Sequence, residues 1–176
     1  MEKRKLKRLM RKGFTMVELL IAVAIVAIFA VAFYLYNRNN LIDTKATKIA
    51  EETNKLETAL NLFEEQTGYM PSSIQELWKN ADANGNPIPG WSGPYVQPPG
   101  GDTSATSLKS GSGATITVSC DSTNGVEQIV FSNVPKNVAE AYDEKYDDGN
   151  LSSGNAVYDD TNHTLTITVS SNVSCI

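Results

Sequence analysis

The sequence predicts an α+β protein: one long N-terminal helix followed by a small antiparallel sheet packed on its second half. Three observations carry this. From Phe14 to about Thr67 the chain contains neither glycine nor proline. Inside that stretch, an apolar run from Phe14 to Tyr36 gives way to an apolar stripe: Ile42, Ala46, Ile49, Thr53, Leu56, Leu60 and Phe63 step alternately by four and three. Short segments of apolar/polar alternation, bounded by Gly, Asn, Asp and Ser, then fill the C-terminal part.

The first half of the helix is apolar on every side. Its 23 residues would extend about 34 Å, enough to cross a hydrocarbon core of about 30 Å. Seven bases precede Gly13 (Lys3, Arg4, Lys5, Lys7, Arg8, Arg11 and Lys12), and such a block stays on the cytoplasmic side, so the rest of the chain points outward. Asn37-Arg38-Asn39-Asn40 marks the exit from the bilayer. Beyond it, Lys45, Lys48, Glu51, Glu52, Lys55 and Glu57 lie largely off the stripe, as an amphipathic helix requires. The stripe is expected to hold a head domain. A dimeric coiled coil is the alternative use, weakened by three and a half heptads with Ala46 and Thr53 in the seam.

Glu18 breaks the apolar run, and a carboxylate at depth in a bilayer is costly unless something needs it. Its setting is informative. Gly13-Phe14-Thr15-Met16-Val17-Glu18, after a basic leader and before an apolar helix, resembles the processing site of type IV prepilins and of the related pseudopilins of type II secretion. The resemblance is close from about Lys12 to Phe63. It implies cleavage by a prepilin peptidase between Gly13 and Phe14, and N-methylation of Phe14. It divides the chain into a leader (1–13), a transmembrane and assembly helix (14–36), an amphipathic continuation (37–67) and a globular head (68–176). Cleavage leaves a cationic amine on Phe14, which Glu18 of a neighbouring subunit can neutralise; a paired carboxylate in lipid is far less costly than a lone one. One departure is the absence of the proline that many type IV pilins carry midway along this helix.

In the head, Gly68 is placed to end the long helix. Ser73-Ile74-Gln75-Glu76 fits a capping box opening a short helix through Trp78. Residues 82–102 are rich in Gly and Pro and read as a long irregular loop packed by Trp91 and Tyr95. The segments 67–72 and 90–95 resemble the corresponding stretch of the major pseudopilin, although the Asp-Pro-Trp-Gly motif and the calcium ligands into which that family usually continues are missing. Residues 104–113 read as a flexible Ser/Gly/Thr loop. Strands are expected at 114–120, 126–131 and 164–170, with 156–158 pairing the last across a turn at 159–163, and a short helix at 135–145 with Val138, Ala141 and Tyr142 on one side. Cys120 and Cys175 stand outside the membrane, where a disulfide is the expected state. Two free thiols or a metal pair are the alternatives, and His163, the lone histidine, leaves too few ligands for structural zinc. Many type IV pilins carry such a C-terminal disulfide, so the resemblance implies the Cys120–Cys175 pairing.

Charge excludes one class. Of 15 bases and 20 acids the leader holds seven and one, leaving eight against nineteen, a net of −11. So acidic a head lacks the basic footprint of a nucleic-acid binder. No nucleophile, phosphate-loop or metalloprotease motif is present, so no enzyme, cofactor or metal is expected. Asp143, Asp147, Asp148 and Asn150 offer the oxygens calcium prefers, and equally read as an acidic helix end and a turn. Asp82 to Asn86 starts like an EF-hand loop but has Pro87 where glycine is required. Sequons at Asn150, Asn162 and Asn172 are unsurprising in a Ser/Thr/Asn-rich head. Phe29, Phe33, Tyr34 and Tyr36 are read as packing between subunits.

The resemblance therefore implies a structural subunit, a type IV pilin polymerising through its helix into an extracellular filament for adhesion, motility or DNA uptake. A type II secretion pseudopilin or a minor pilin is the alternative, and an anchored enzyme or binding domain a third. Implied partners are further copies of the chain, the prepilin peptidase, inner-membrane assembly machinery and, before assembly, membrane lipid. The chain would be a single-pass inner-membrane protein with a cytoplasmic N-terminus until it enters the filament.

Overall fold

The computed structural model describes residues 14–175. Helix α1 spans Met16–Thr67; strands β1 (Leu108–Lys109), β2 (Thr115–Asp121) and β3 (Val126–Ser132) follow, then helix α2 (Lys136–Tyr146), β4 (Ala156–Asp159) and β5 (Thr164–Ser171). This is the α+β layout of a long N-terminal helix and a five-stranded sheet, antiparallel throughout, in the order β1-β2-β3-β5-β4. The described residues divide into two compact units, one ending at Asn39 and the other beginning at Asn40.

In the first unit every described side chain is exposed. The residues are Leu, Ile, Val, Ala and Phe in near-unbroken succession, and helix satisfies their backbone groups without any partner segment.

In the second unit the stripe of α1 meets the sheet. Ala46, Ile49, Thr53, Leu56, Leu60 and Phe63 are buried, flanked by Ala50 and Ala59, and Ile42 is partly buried against the same core. The seam is therefore consumed inside the chain, and the coiled-coil alternative falls. Ile116, Val118, Ile129, Phe131, Leu165, Ile167, Ala156 and Tyr158 form the buried row of the sheet. Register aligns them: Ile116 faces Phe131, Val118 faces Ile129, Phe131 faces Leu165, and Ile129 faces Ile167. Because side chains alternate along a strand, that register puts the intervening Thr and Gln residues on the other face.

Gly68 ends α1 in the left-handed conformation, at φ 78°, with its N–H donating to Glu64 O at 2.8 Å. The short helix after it is a single 3-10 turn, Ile74–Leu77, with Trp78 as its C-cap. Its capping is displaced by one residue: the Glu76 carboxylate accepts from Ser72 N and Ser72 Oγ, at 3.0 and 2.9 Å. Loop 82–102 is pinned by its aromatics. Trp91 Nε1 donates to Glu76 O at 2.8 Å, Tyr95 N to Leu77 O at 2.7 Å, and the Tyr95 ring lies edge-on to Phe63.

Two expectations change. Residues 104–113 are not a free loop. They contain β1, and Glu52 of α1 accepts from Gly111 N at 2.7 Å and from Ser110 Oγ, so a charged residue just off the apolar stripe anchors the segment. The buried face of α2 is Val138, Ala139, Tyr142 and Asp143, with Ala141 only half-buried. The helix is thus turned slightly from the expected face, and it carries an aspartate inward.

Candidate processing and assembly segment

Of the residues singled out for processing, Gly13 lies outside the described residues and Phe14 is almost fully exposed just before α1. Glu18 sits in the first turn of α1. Thr15 N and Thr15 Oγ1 both donate to Glu18 Oε2 at 2.9 Å, while Glu18 N donates to Thr15 Oγ1 at 3.2 Å. This is a reciprocal capping box, with Thr15 as N-cap and Glu18 three residues on. Sequence reasoning missed it, although Thr15-Met16-Val17-Glu18 carries the S/T-x-x-E signature plainly. The local cap and the proposed intermolecular pairing are compatible: both Thr15 donors use Oε2, which leaves Oε1 for another cation.

From Phe14 to Leu41 no side chain is buried. Leu, Ile, Val and Phe residues there are each half-exposed or more, and the helix is long and apolar enough to cross a membrane. Such a surface needs lipid or other protein against it.

In the head, Cys120 of β2 is bonded to Cys175. The same terminal segment is tied by backbone: Met70 N donates to Ser174 O at 2.8 Å, and Val173 N to Gly125 O at 3.0 Å. Gly125 has φ 62°, and a Cβ there would stand 3.0 Å from Val173 O, so the strap needs glycine beneath it.

Asp82 Oδ1 accepts from Asn84 N and Asn86 N, at 2.9 and 2.7 Å, closing a turn on itself rather than opening an ion loop. Asn150, Asn162, Asn172 and His163 are all exposed. Asp143, Asp147 and Asp148 come together at the end of α2, each offering an oxygen within 4.8 Å of the others.

Residues 8–34 match the family model described as the prokaryotic N-terminal methylation motif. The match spans the end of the basic block, the Gly13-Phe14 junction, Glu18 and most of the apolar run, which is the prepilin motif common to type IV pilins and pseudopilins. No curated protein and no solved structure matches the chain.

Proposed function

We propose that the chain is the major subunit of a type IV pilus. The methylation motif at 8–34 supports membership among type IV pilins or pseudopilins, and the observation that carries the reading further is the wholly uncovered apolar helix with one carboxylate at its start. The peptidase cuts after Gly13 and methylates Phe14. The helix 14–36 anchors the subunit in the inner membrane, then leaves lipid for a bundle of identical helices in the filament. Glu18 neutralises the Phe14 amine of a neighbour during that transfer. Residues 37–67 hold the head, 68–176, which the filament displays outside the cell. Bridging Cys120 to Cys175 suits that oxidising location.

The pseudopilin reading draws on residues 90–95, whose Trp91 and Tyr95 dock on the end of α1 and the 3-10 turn. The deciding experiment is electron microscopy of material sheared from producing cells, with N-terminal mass spectrometry of the same fraction. Long filaments made chiefly of a chain beginning at N-methyl-Phe14 are expected. Processed chain that remains in the membrane fraction without long filaments identifies a pseudopilin or minor subunit. A chain beginning at Met1 beside an active peptidase overturns both readings. The Glu18→Ala variant should insert and be processed normally yet give few filaments; normal filament yield would remove Glu18 from assembly.

A further inference from the structure

Three carboxylates meet at the C-terminal end of α2, and no base among the described residues forms an ion pair with them. Asp143, Asp147 and Asp148 each present an oxygen within 4.8 Å of the other two. Asp143 is 1% exposed, and its Oδ1 has no hydrogen-bond partner among the described residues. The nearest base on the helix, Lys145, is spent elsewhere: its Nζ donates to Thr47 Oγ1 at 3.3 Å and lies 5.1 Å from the Tyr146 ring centre. Among the described residues the ion pair present is Lys136–Asp160, on the surface.

The loop after α2 holds the other two acids in place. Asp147 Oδ2 accepts from Ala156 N at 2.8 Å, at the first residue of β4. Its carboxylate fills the space where a Cβ on Gly154 would stand. Asp148 Oδ1 accepts from Asn150 N, and Oδ2 from Ser153 Oγ, both at 2.8 Å. Asp147 Oδ1 has no donor among the described residues, and each engaged oxygen keeps a second lone pair. A buried, unpartnered aspartate therefore faces two fixed carboxylates.

We propose that Asp143, Asp147 and Asp148 bind a calcium ion that ties the last turn of α2 to the start of β4. The donors are hard oxygens with no sulfur or imidazole, which selects calcium or magnesium over zinc. Oxygens at about 2.3–2.6 Å from one calcium span up to about 5 Å across it, wide enough for this cluster, whereas magnesium holds its ligands at about 2.0–2.1 Å. The three carboxylates supply part of the coordination shell and water the rest. Burial and the charges of Asp148 and Asp147 push the Asp143 carboxyl above its usual range, the strain that a dication relieves. The inference uses residues of the head alone and does not depend on the reading of the N-terminal segment.

The test uses the full chain in detergent, stripped with chelator. Terbium(III) is added and its luminescence excited through Tyr142 and Tyr146, which flank Asp143 on α2. Saturable luminescence that calcium displaces, together with a calcium-dependent rise in Tm, is expected. Asp143→Asn should weaken calcium at least tenfold while leaving the chelated protein as stable as the parent, since the amide removes a charge without changing shape. Asp148→Asn should weaken it likewise, and serves if Asp143→Asn does not fold. Asp160→Asn, in the surface ion pair, should leave binding unchanged. No response to calcium at about 10 mM, above the range of weak extracellular sites, would overturn the proposal, as would undiminished binding in both site variants or an equal response to magnesium.

Discussion

Glu127 stands in the inner row of β3, in line with Ile129 and Phe131, and is fully buried. Neither carboxyl oxygen has a hydrogen-bond partner among the described residues. Burial, reinforced by Glu76 and Glu64, pushes its pKa to about 9, so the folded protein holds it neutral. The unfolded chain releases that proton near the ordinary glutamate value of 4.5. Between the two values the unfolded state binds fewer protons, and stability falls as pH rises, with a limiting slope of about 1.4 kcal/mol per pH unit. The contribution is intact below pH 4.5, lost progressively toward 9, and constant beyond. Thermal melts of Glu127→Gln across pH 4–9 should accordingly be flatter than those of the parent, and the variant should gain relative stability toward the alkaline end; an unchanged slope would place the titration elsewhere. Strand alternation already assigns Glu127 to the inner row, but periodicity says only which way a residue points. That Glu76 and Glu64 lie opposite depends on where the 3-10 turn and the end of α1 pack, which no local pattern encodes.

Among the elements, α1 was the most legible, because a stripe at helical spacing is written directly in Ile49, Leu56, Leu60 and Phe63. Leu60 is completely buried, and Leu60→Ala should cost about 2–5 kcal/mol. Leu62, two residues away and 44% exposed, should cost well under half as much when replaced by Ala. Urea melts of the two variants check the comparison, and similar losses would mean that the stripe is misassigned. The long strands were legible too: β2 and β5 alternate apolar and polar residues, and β3 is a short apolar run bounded by turn residues. Their hairpins share a device that sequence reading passed over. Asp121 accepts from Thr123 N and Asn124 N before Gly125, and Asp159 accepts from Thr161 N and Asn162 N before His163. Both turns close on a left-handed residue, Gly125 at φ 62° and His163 at φ 53°. Asp159→Ala should therefore lower stability by about 1 kcal/mol, read as a shift in Tm of a few degrees. Strand β1 escaped notice because two residues carry no period; Glu52, more than fifty positions earlier, fixes its neighbourhood.

At the scale of the molecule, the two ends of the sequence differ in how they encode their roles. The N-terminal segment is read from contiguous residues: a basic block, a Gly-Phe junction, a carboxylate and an apolar run. The head is assembled from residues far apart: its acids at 143–148 are legible in the sequence, but the burial of Asp143 and the tie of Asp147 to Ala156 became visible only once α2 and β4 stood side by side. The Cys120–Cys175 bond joins positions 55 apart, and its removal by Cys175→Ser should cost roughly 2–4 kcal/mol. Chemical melts of that variant beside the parent would measure the loss, and equal midpoints would show that the strap holds without its bond. The strap has a kinetic side as well. Met70, Gly125 and Cys120 all wait on Val173, Ser174 and Cys175, residues that a ribosome delivers after every strand of the sheet. The amphipathic half of α1 is synthesised before every strand, so its stripe has no complete sheet to lie against until β5 has emerged. Until then it depends on whatever shields nascent apolar surface, and synthesis interrupted between β5 and Val173 would leave a sheet with no strap closed over it, open to proteases.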